Sequence, residues 1–176
     1  MTQTSEADFF DPELLVEDPR SEVLFGINDG DPSATSRDQR RAYTTSEDNG
    51  WNATVHNKQQ VKLQFTPLDH NVQLDGLCDG ILYTCGESSS QLIFIELKSK
   101  GKRWIQEGVE QLKKTISIYK AGEGCREFSE YKAYLCNNRH PHFQFSKKEE
   151  MQKFRQETSM RLYIEQQIQI GNALSQ

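Results

Sequence analysis

The chain has 176 residues, with 21 Lys and Arg against 26 Asp and Glu, and 35% of it is hydrophobic, a polar composition that still suffices for one core of ordinary domain size. No run of 18 apolar residues occurs, which excludes a membrane-spanning helix, and the opening MTQTSEADFF has acids where a secretory leader needs bases and an apolar stretch. The four cysteines (Cys78, Cys85, Cys125 and Cys136) form no C-x-x-C pair and read as reduced thiols, so a cytoplasmic protein is expected.

The charge is unevenly placed. Residues 1–40 hold ten acids and three bases, whereas residues 41–176 hold sixteen acids and eighteen bases. The acidity belongs to an N-terminal segment and the body is slightly basic, so the negative total does not speak against a polyanionic partner.

Along residues 1–45 the Asp-Pro pairs at Asp11, Asp18 and Asp31, with Asn28-Asp29-Gly30, are turn and breaker signals between short apolar islands. Phe9-Phe10 with Leu14-Leu15-Val16, and Val23-Leu24-Phe25, could serve as short helical or docking pieces; the expectation adopted is instead a partly ordered lead-in that covers one edge of the core, because nothing periodic continues. From Trp51 the pattern turns to strands. Val61, Leu63 and Phe65 alternate with polar neighbours, which predicts a half-buried strand. Leu77 to Tyr83 is a second apolar stretch. Leu92-Ile93-Phe94-Ile95 is apolar on both faces and should lie inside the sheet. Ile105, Val109, Leu112, Ile116 and Tyr119 recur at helical spacing, and Gly122-Glu123-Gly124 ends that helix. Tyr131 to Cys136 predicts another strand. Ser146-Lys147-Lys148-Glu149 resembles a capping box before a last helix with Met151 and Phe154 inward, and Arg161 to Ile164 closes the sheet. The expected layout is an acidic segment at 1–45, one α/β domain at 46–165 with a mixed central sheet flanked by helices, and a tail at 166–176.

The chemistry gathers between Cys78 and Lys98. Charged residues rarely end an apolar strand unless something there needs them. Glu96 and Lys98 are two apart, so on a strand they share a face while Leu97 points away. If the hairpin loop runs from Cys85 to Ser90, Thr84 pairs with Gln91 and Asp79 falls opposite Glu96, with Cβ atoms about 5 Å apart. Two carboxylates that close repel unless a cation separates them. All-oxygen ligands with no His or Cys suit Mg²⁺ or Mn²⁺. Lys98 beside such an ion would orient an attacking water and balance charge on a phosphorane. The bland alternative is an acid–lysine ion pair at a sheet edge.

Asp79, sixteen residues, then Glu96-x-Lys98 resembles the core of the PD-(D/E)xK nuclease superfamily, the restriction-endonuclease-like fold. The resemblance covers about residues 60–165 by order of elements, with its specific motifs between Cys78 and Gln111. It implies that Asp79, Glu96 and the Leu97 carbonyl bind the metal, that Lys98 serves the water, and that Gln111, in Glu110-Gln111-Leu112, supports the water or a backbone phosphate. Cys78 stands where many members carry Pro. The acid that many members place on a first helix has Glu22 and Glu47 as its candidates here.

Lys98 to Lys120 holds seven bases against Glu107 and Glu110. Lys100, Lys102 and Arg103 follow the proposed catalytic strand and are candidate contacts to a phosphate backbone. Trp104 is read as the start of the helix core and not as a stacking platform. His70, beside Asp69 and Asp75, is read as a turn histidine, and Cys136 with His140 and His142 lacks a fourth ligand for a soft metal. The expectation is therefore a Mg²⁺-dependent DNA nuclease of bacterial defence, restriction, recombination or repair, with RNA as the other polymer. Cleavage of both strands would need a dimer or two visits by one copy. The acidic segment would mask the basic surface or dock a partner subunit; a third reading makes it a protein-interaction module with Phe9-Phe10 and Leu14-Leu15 as anchors. The alternative is a non-catalytic relative that binds nucleic acid or a partner protein.

Overall fold

The computed structural model describes residues 7–86, 90–99, 101–122, 126–139 and 147–171. In chain order the elements are β1 (Leu24–Asn28), α1 (Arg37–Arg40), β2 (Tyr43–Thr45), β3 (Ala53–His56), β4 (Leu63–Pro67), β5 (Gly80–Thr84), β6 (Gln91–Lys98), α2 (Trp104–Ala121), β7 (Glu130–Asn137), α3 (Lys148–Thr158), β8 (Arg161–Ile164) and β9 (Gln167–Gln169). The α/β class is as expected.

Two mixed sheets form. The larger has the order β4-β5-β6-β7-β8: β4, β5 and β6 are antiparallel neighbours, and β7 and β8 continue the sheet in parallel. The two parallel steps are made by α2 and α3, since a parallel return needs a crossover. The smaller sheet has the order β2-β1-β3-β9, with β9 parallel to β3.

The alternation along β6 explains the layering. Leu92 and Phe94 pack with Trp104, Val109, Leu112, Ile116 and Tyr119 of α2 and with Phe154 of α3. Ile93, Ile95 and Leu97 pack with Phe25, Ile27, Val55 and Ile168 of the smaller sheet. The larger sheet is therefore covered by helices on one face and by the second sheet on the other. This corrects the expectation of a sheet flanked by helices. A strand covered on both faces has no solvent side, so β4 is buried at every position where a half-buried strand is expected. Its polar Gln64 is accommodated by donating from its amide to the carbonyls of Glu17 and Phe65, at 3.0 and 2.9 Å.

The ends of the chain also differ from expectation. Val23-Leu24-Phe25 runs into β1, which pairs with both β2 and β3, and residues 167–169 of the expected tail form β9. Phe9 and Phe10 are 2% and 6% exposed in the helix-side core, in agreement with a lead-in that covers the core and not with the third reading of them as partner anchors. Phe10 meets Tyr83 edge-on at 5.1 Å and Phe128 at 5.8 Å, with the Arg126 guanidinium 4.7 Å over its ring. These aromatics are used up internally.

Helix α2 starts at buried Trp104, in agreement with its reading as core, and ends where the Gly122 N–H donates to the Ile118 and Tyr119 carbonyls. No helix among the described residues is long and apolar enough to cross a membrane. The capping-box Ser146 lies outside the described residues, as do Cys125, His140, His142 and Lys100. Cys78, Cys85 and Cys136 are free thiols.

Candidate metal centre

The β5–β6 hairpin adopts the register expected from its loop. Gly80 pairs with Ile95 and Tyr83 with Leu92, and the Gln91 N–H closes the loop by donating to Thr84 Oγ1 at 2.9 Å. Asp79 immediately precedes β5, so continuing the register sets it beside Glu96. The Leu97 N–H donates to Asp79 Oδ2 at 2.6 Å, and the Asp79 carbonyl accepts from the Leu68 N–H at 2.9 Å. The carboxylate is thus held from β6 and from the β4–β5 loop.

Glu96 shares its face with Leu92 and Phe94 and points toward α2. Gly108 of α2 decides how near the helix comes to β6 and β7. A Cβ built on Gly108 would stand 2.4 Å from Leu135 Cδ1 and 3.4 Å from Glu96 Cγ, so only glycine lets the helix lie this close to the carboxylate. One turn further, Gln111 accepts from the Lys98 ammonium through Oε1 at 2.6 Å and donates through Nε2 to the Leu77 carbonyl at 3.4 Å. Thr115 then accepts the Cys78 N–H at 2.8 Å while donating to the Gln111 carbonyl at 2.8 Å. These contacts stitch α2 to residues 77–79 and fix Lys98 between Gln111 and Glu96, whose Oε1 is 2.9 Å away.

Glu96 is 2% exposed, and its second oxygen, Oε2, is buried with no hydrogen-bond partner among the described residues. A buried carboxylate oxygen without a partner is costly. Burial pushes the Glu96 carboxyl up to about 7, although Lys98 pulls it the other way. Asp79 is held well above the usual carboxylate range, first by burial and then by the charges of Glu96 and Asp29. Burial works against the charge on Lys98, but Glu96 outweighs it and the ammonium is held above its ordinary value. The hairpin end therefore favours an extra positive charge, a proton or a cation.

Asp79, Glu96, Leu97, Lys98 and Gln111 line one cavity of about 150 Å³, and its other wall comes from Asp29, Gly30, Pro32, Arg40, Asp69 and His70. At about 30 Å³ per water this is room for about five. Every site residue implied between Asp79 and Gln111 is thus brought together. The second wall was largely missed. Asp29 sits in a turn signal, Asn28-Asp29-Gly30, and nothing in the sequence near it speaks of a site 50 residues away. Burial raises the Asp29 carboxyl, and Asp69 adds to that. The expected first-helix candidates fall elsewhere: Glu22 accepts from Ser46 Oγ at 2.9 Å and pairs with Arg20 at 3.6 Å, and Glu47 gives its carbonyl to the Trp51 indole at 2.8 Å.

His70, expected as a turn residue, is one and also lines the cavity. Its φ of +61° places it in the left-handed region, and its Nε2 lies 3.3 Å from Asp69 Oδ2. Asp75, by contrast, holds the Lys114 ammonium through its carbonyl.

Of the basic run, Lys113 pairs with Glu157 and Glu110, and Lys120 is tied to the Thr158 carbonyl. Lys102 and Arg103 are exposed at the start of α2. Cys136 is fully buried between the sheets, and burial pushes its thiol up, which does not suit a metal ligand.

Among the described residues no three His, Cys, Asp or Glu side chains converge as a ready-made ligand set. The donors of the hairpin end nevertheless fit a hard cation. Two carboxylates, one with a partnerless oxygen, and a strand-end backbone beside open space match the way Mg²⁺ is held, by one or two carboxylates while it keeps several waters. Comparison with protein-family models, with curated proteins and with solved structures finds no match to this chain.

Proposed function

We propose that this chain is a metal-dependent nuclease of the PD-(D/E)xK type that hydrolyses phosphodiester bonds of DNA, with RNA as the other polymer its chemistry admits. The observation that carries the reading is the partnerless buried Oε2 of Glu96, set beside Asp79 on one face and beside a lysine held by Gln111. The antiparallel β4-β5-β6 run followed by α2 and parallel β7 supports a restriction-endonuclease-like core. Bacterial defence, restriction, recombination or repair is the setting such a compact enzyme would serve.

Asp79 and Glu96, with the Leu97 carbonyl, would hold Mg²⁺ or Mn²⁺. When bound, the ion supplies positive charge against the negative charge that develops on the phosphoryl oxygens. Lys98 stays protonated, orients a water for attack on phosphorus and adds a second positive charge at the reacting centre. Gln111 keeps the ammonium in place by accepting from it. In the overall reaction the water oxygen bonds to phosphorus, the bond to the leaving sugar oxygen breaks, and the water's proton balances that oxygen through solvent.

One observation favours a second reading. Lys98 already has two partners, Glu96 and Gln111, as a structural ion pair would. A catalytically inactive module that binds nucleic acid or a partner protein would keep such a pair without turnover. Incubating the protein with supercoiled plasmid, single-stranded DNA and RNA, with Mg²⁺, Mn²⁺ or EDTA and beside Lys98→Ala, separates the two. Cleavage that requires metal and vanishes in the variant supports the nuclease. Intact substrates in every arm favour the module.

A further inference from the structure

Two consecutive arginines at the end of α1 are used in opposite ways. Arg41 is committed to the fold: its Nη1 pairs with Asp38 at 3.1 Å, and its Nε donates to the His70 carbonyl at 3.4 Å. It straps the 29–41 excursion to the β4–β5 loop. Arg40 lines the cavity beside Asp79, Glu96 and Lys98, yet it is exposed, and among the described residues its side chain makes only a long 3.5 Å contact from Nη2 to the Pro32 carbonyl. Among the described residues no carboxylate lies within ion-pairing distance of it, although Asp29, Asp69, Asp79 and Glu96 line the same cavity.

The position of Arg40 is built, not incidental. The excursion folds back on itself through the Asp31 N–H, which donates to the Gln39 carbonyl at 2.8 Å. Gly30 makes room for this return, since a Cβ there would stand 2.2 Å from the Arg40 carbonyl carbon and 2.3 Å from its oxygen. The chain thus brings Arg40 to the lining of an acidic cavity, its Nη2 beside the Pro32 carbonyl, with no anion paired to it among the described residues.

We propose that Arg40 is a substrate-positioning residue that binds a backbone phosphate of DNA next to the scissile one. The proposal rests on the nuclease reading of the same site. A planar guanidinium offers two parallel N–H donors to two phosphate oxygens, a geometry that an ammonium does not reproduce. Arg40 and the hairpin end then divide the work: one holds the chain, the other reacts with it.

The test is fluorescence anisotropy of a labelled single-stranded and a labelled duplex DNA 20-mer with the full chain, in Ca²⁺ to suppress turnover, across a salt series, and then steady-state cleavage in Mg²⁺. Arg40→Ala should weaken binding about tenfold, as expected for loss of one charge-assisted contact. It should lower the salt slope by about one counterion and raise KM more than it lowers kcat. Arg40→Lys should recover only part of the affinity, and Arg37→Ala, on the same short helix, should leave binding and cleavage at parental levels. Parental affinity and salt slope in Arg40→Ala would overturn the anchor, as would a parent that binds no DNA. If the parent binds DNA but cleaves nothing, the nuclease reading fails by itself, and a weakened Arg40→Ala still upholds the anchor.

Discussion

The cavity has two walls of different origin. One is the end of the β5–β6 hairpin and the facing turn of α2, which supplies Asp79, Glu96, Leu97, Lys98 and Gln111 from a stretch of 33 residues. Its side chains are buried or half-buried, and Lys98 is held by both Glu96 and Gln111. The other wall supplies Asp29, Gly30, Pro32, Arg40, Asp69 and His70 from two excursions between strands, and its residues are exposed or half-buried, none fully buried. A rigid wall suits groups that touch reacting atoms, because displacement by a fraction of an ångström costs rate. An exposed wall suits groups that meet a substrate and release it. The first wall should therefore fail outright when altered, and the second should respond by degrees.

The largest expected effect is on turnover. Asp79→Asn and Lys98→Ala should each reduce metal-dependent cleavage by at least about a hundredfold to a thousandfold while the protein stays folded, read in a plasmid-nicking time course. Residual activity within tenfold of the parent in either variant would break the contrast between the walls.

Next comes packing behind the rigid wall. Gly108→Ala places a methyl group 2.4 Å from Leu135 Cδ1, and the overpacking should cost about 1–3 kcal/mol in urea unfolding. Because a shift of α2 away from Leu135 would also move Gln111 and the lysine it holds, cleavage should fall too. An unchanged midpoint would mean that α2 shifts freely, contrary to its bonds with residues 77–79.

The buried acids make stability depend on pH in a definite direction. The folded Glu96 carboxyl sits at about 7, above the ordinary 4.5, so between those values the folded state binds more protons than the unfolded one. Stability without metal should fall as pH rises through that window, by an amount of the order of 3 kcal/mol, and the raised Asp79 adds in the same direction. Glu96→Gln should flatten the curve and raise the melting temperature above that of the parent at pH 8. In the parent, Mg²⁺ should raise the melting temperature more at pH 8 than at pH 5.5, because protons compete for the carboxylates. A stability that climbs from pH 5 to 8 without metal would contradict the buried, crowded site.

The smallest effect belongs to the second wall. Asp29→Asn removes one of the charges that hold Asp79 up, so it should weaken Mg²⁺ binding only several-fold and leave the cleavage products unchanged, measured by Mg²⁺ titration of the nicking rate. A loss as large as that of Asp79→Asn would make Asp29 part of the reacting set and merge the two walls.

Truncation provides a further contrast. Residues 1–40 look dispensable by composition, yet removing them deletes β1, which pairs with β2 and β3, along with Phe9, Phe10 and Asp29. The shortened chain should fail to fold cooperatively.

The sequence by itself determined the first wall. Loop length sets which residues pair across a hairpin, so Thr84 against Gln91 was enough to bring Asp79 to Glu96. A two-residue period placed Glu96 and Lys98 on one face, while Gln111 entered only through the resemblance of Glu110-Gln111-Leu112 to the nuclease core. These relations are local and periodic, and each leaves a mark on the chain. Only the tertiary structure decided the second wall and the smaller sheet. Neither Asp29 against Asp79, nor β3 beside β9, where His56 meets Gln167 across 111 residues, follows from a period or a short loop. Both depend on which apolar face remains uncovered once the helices have packed. Ile93, Ile95 and Leu97 left that face open, and Phe25, Ile27, Val55 and Ile168 closed it, carrying Asp29 and Arg40 to the cavity with them.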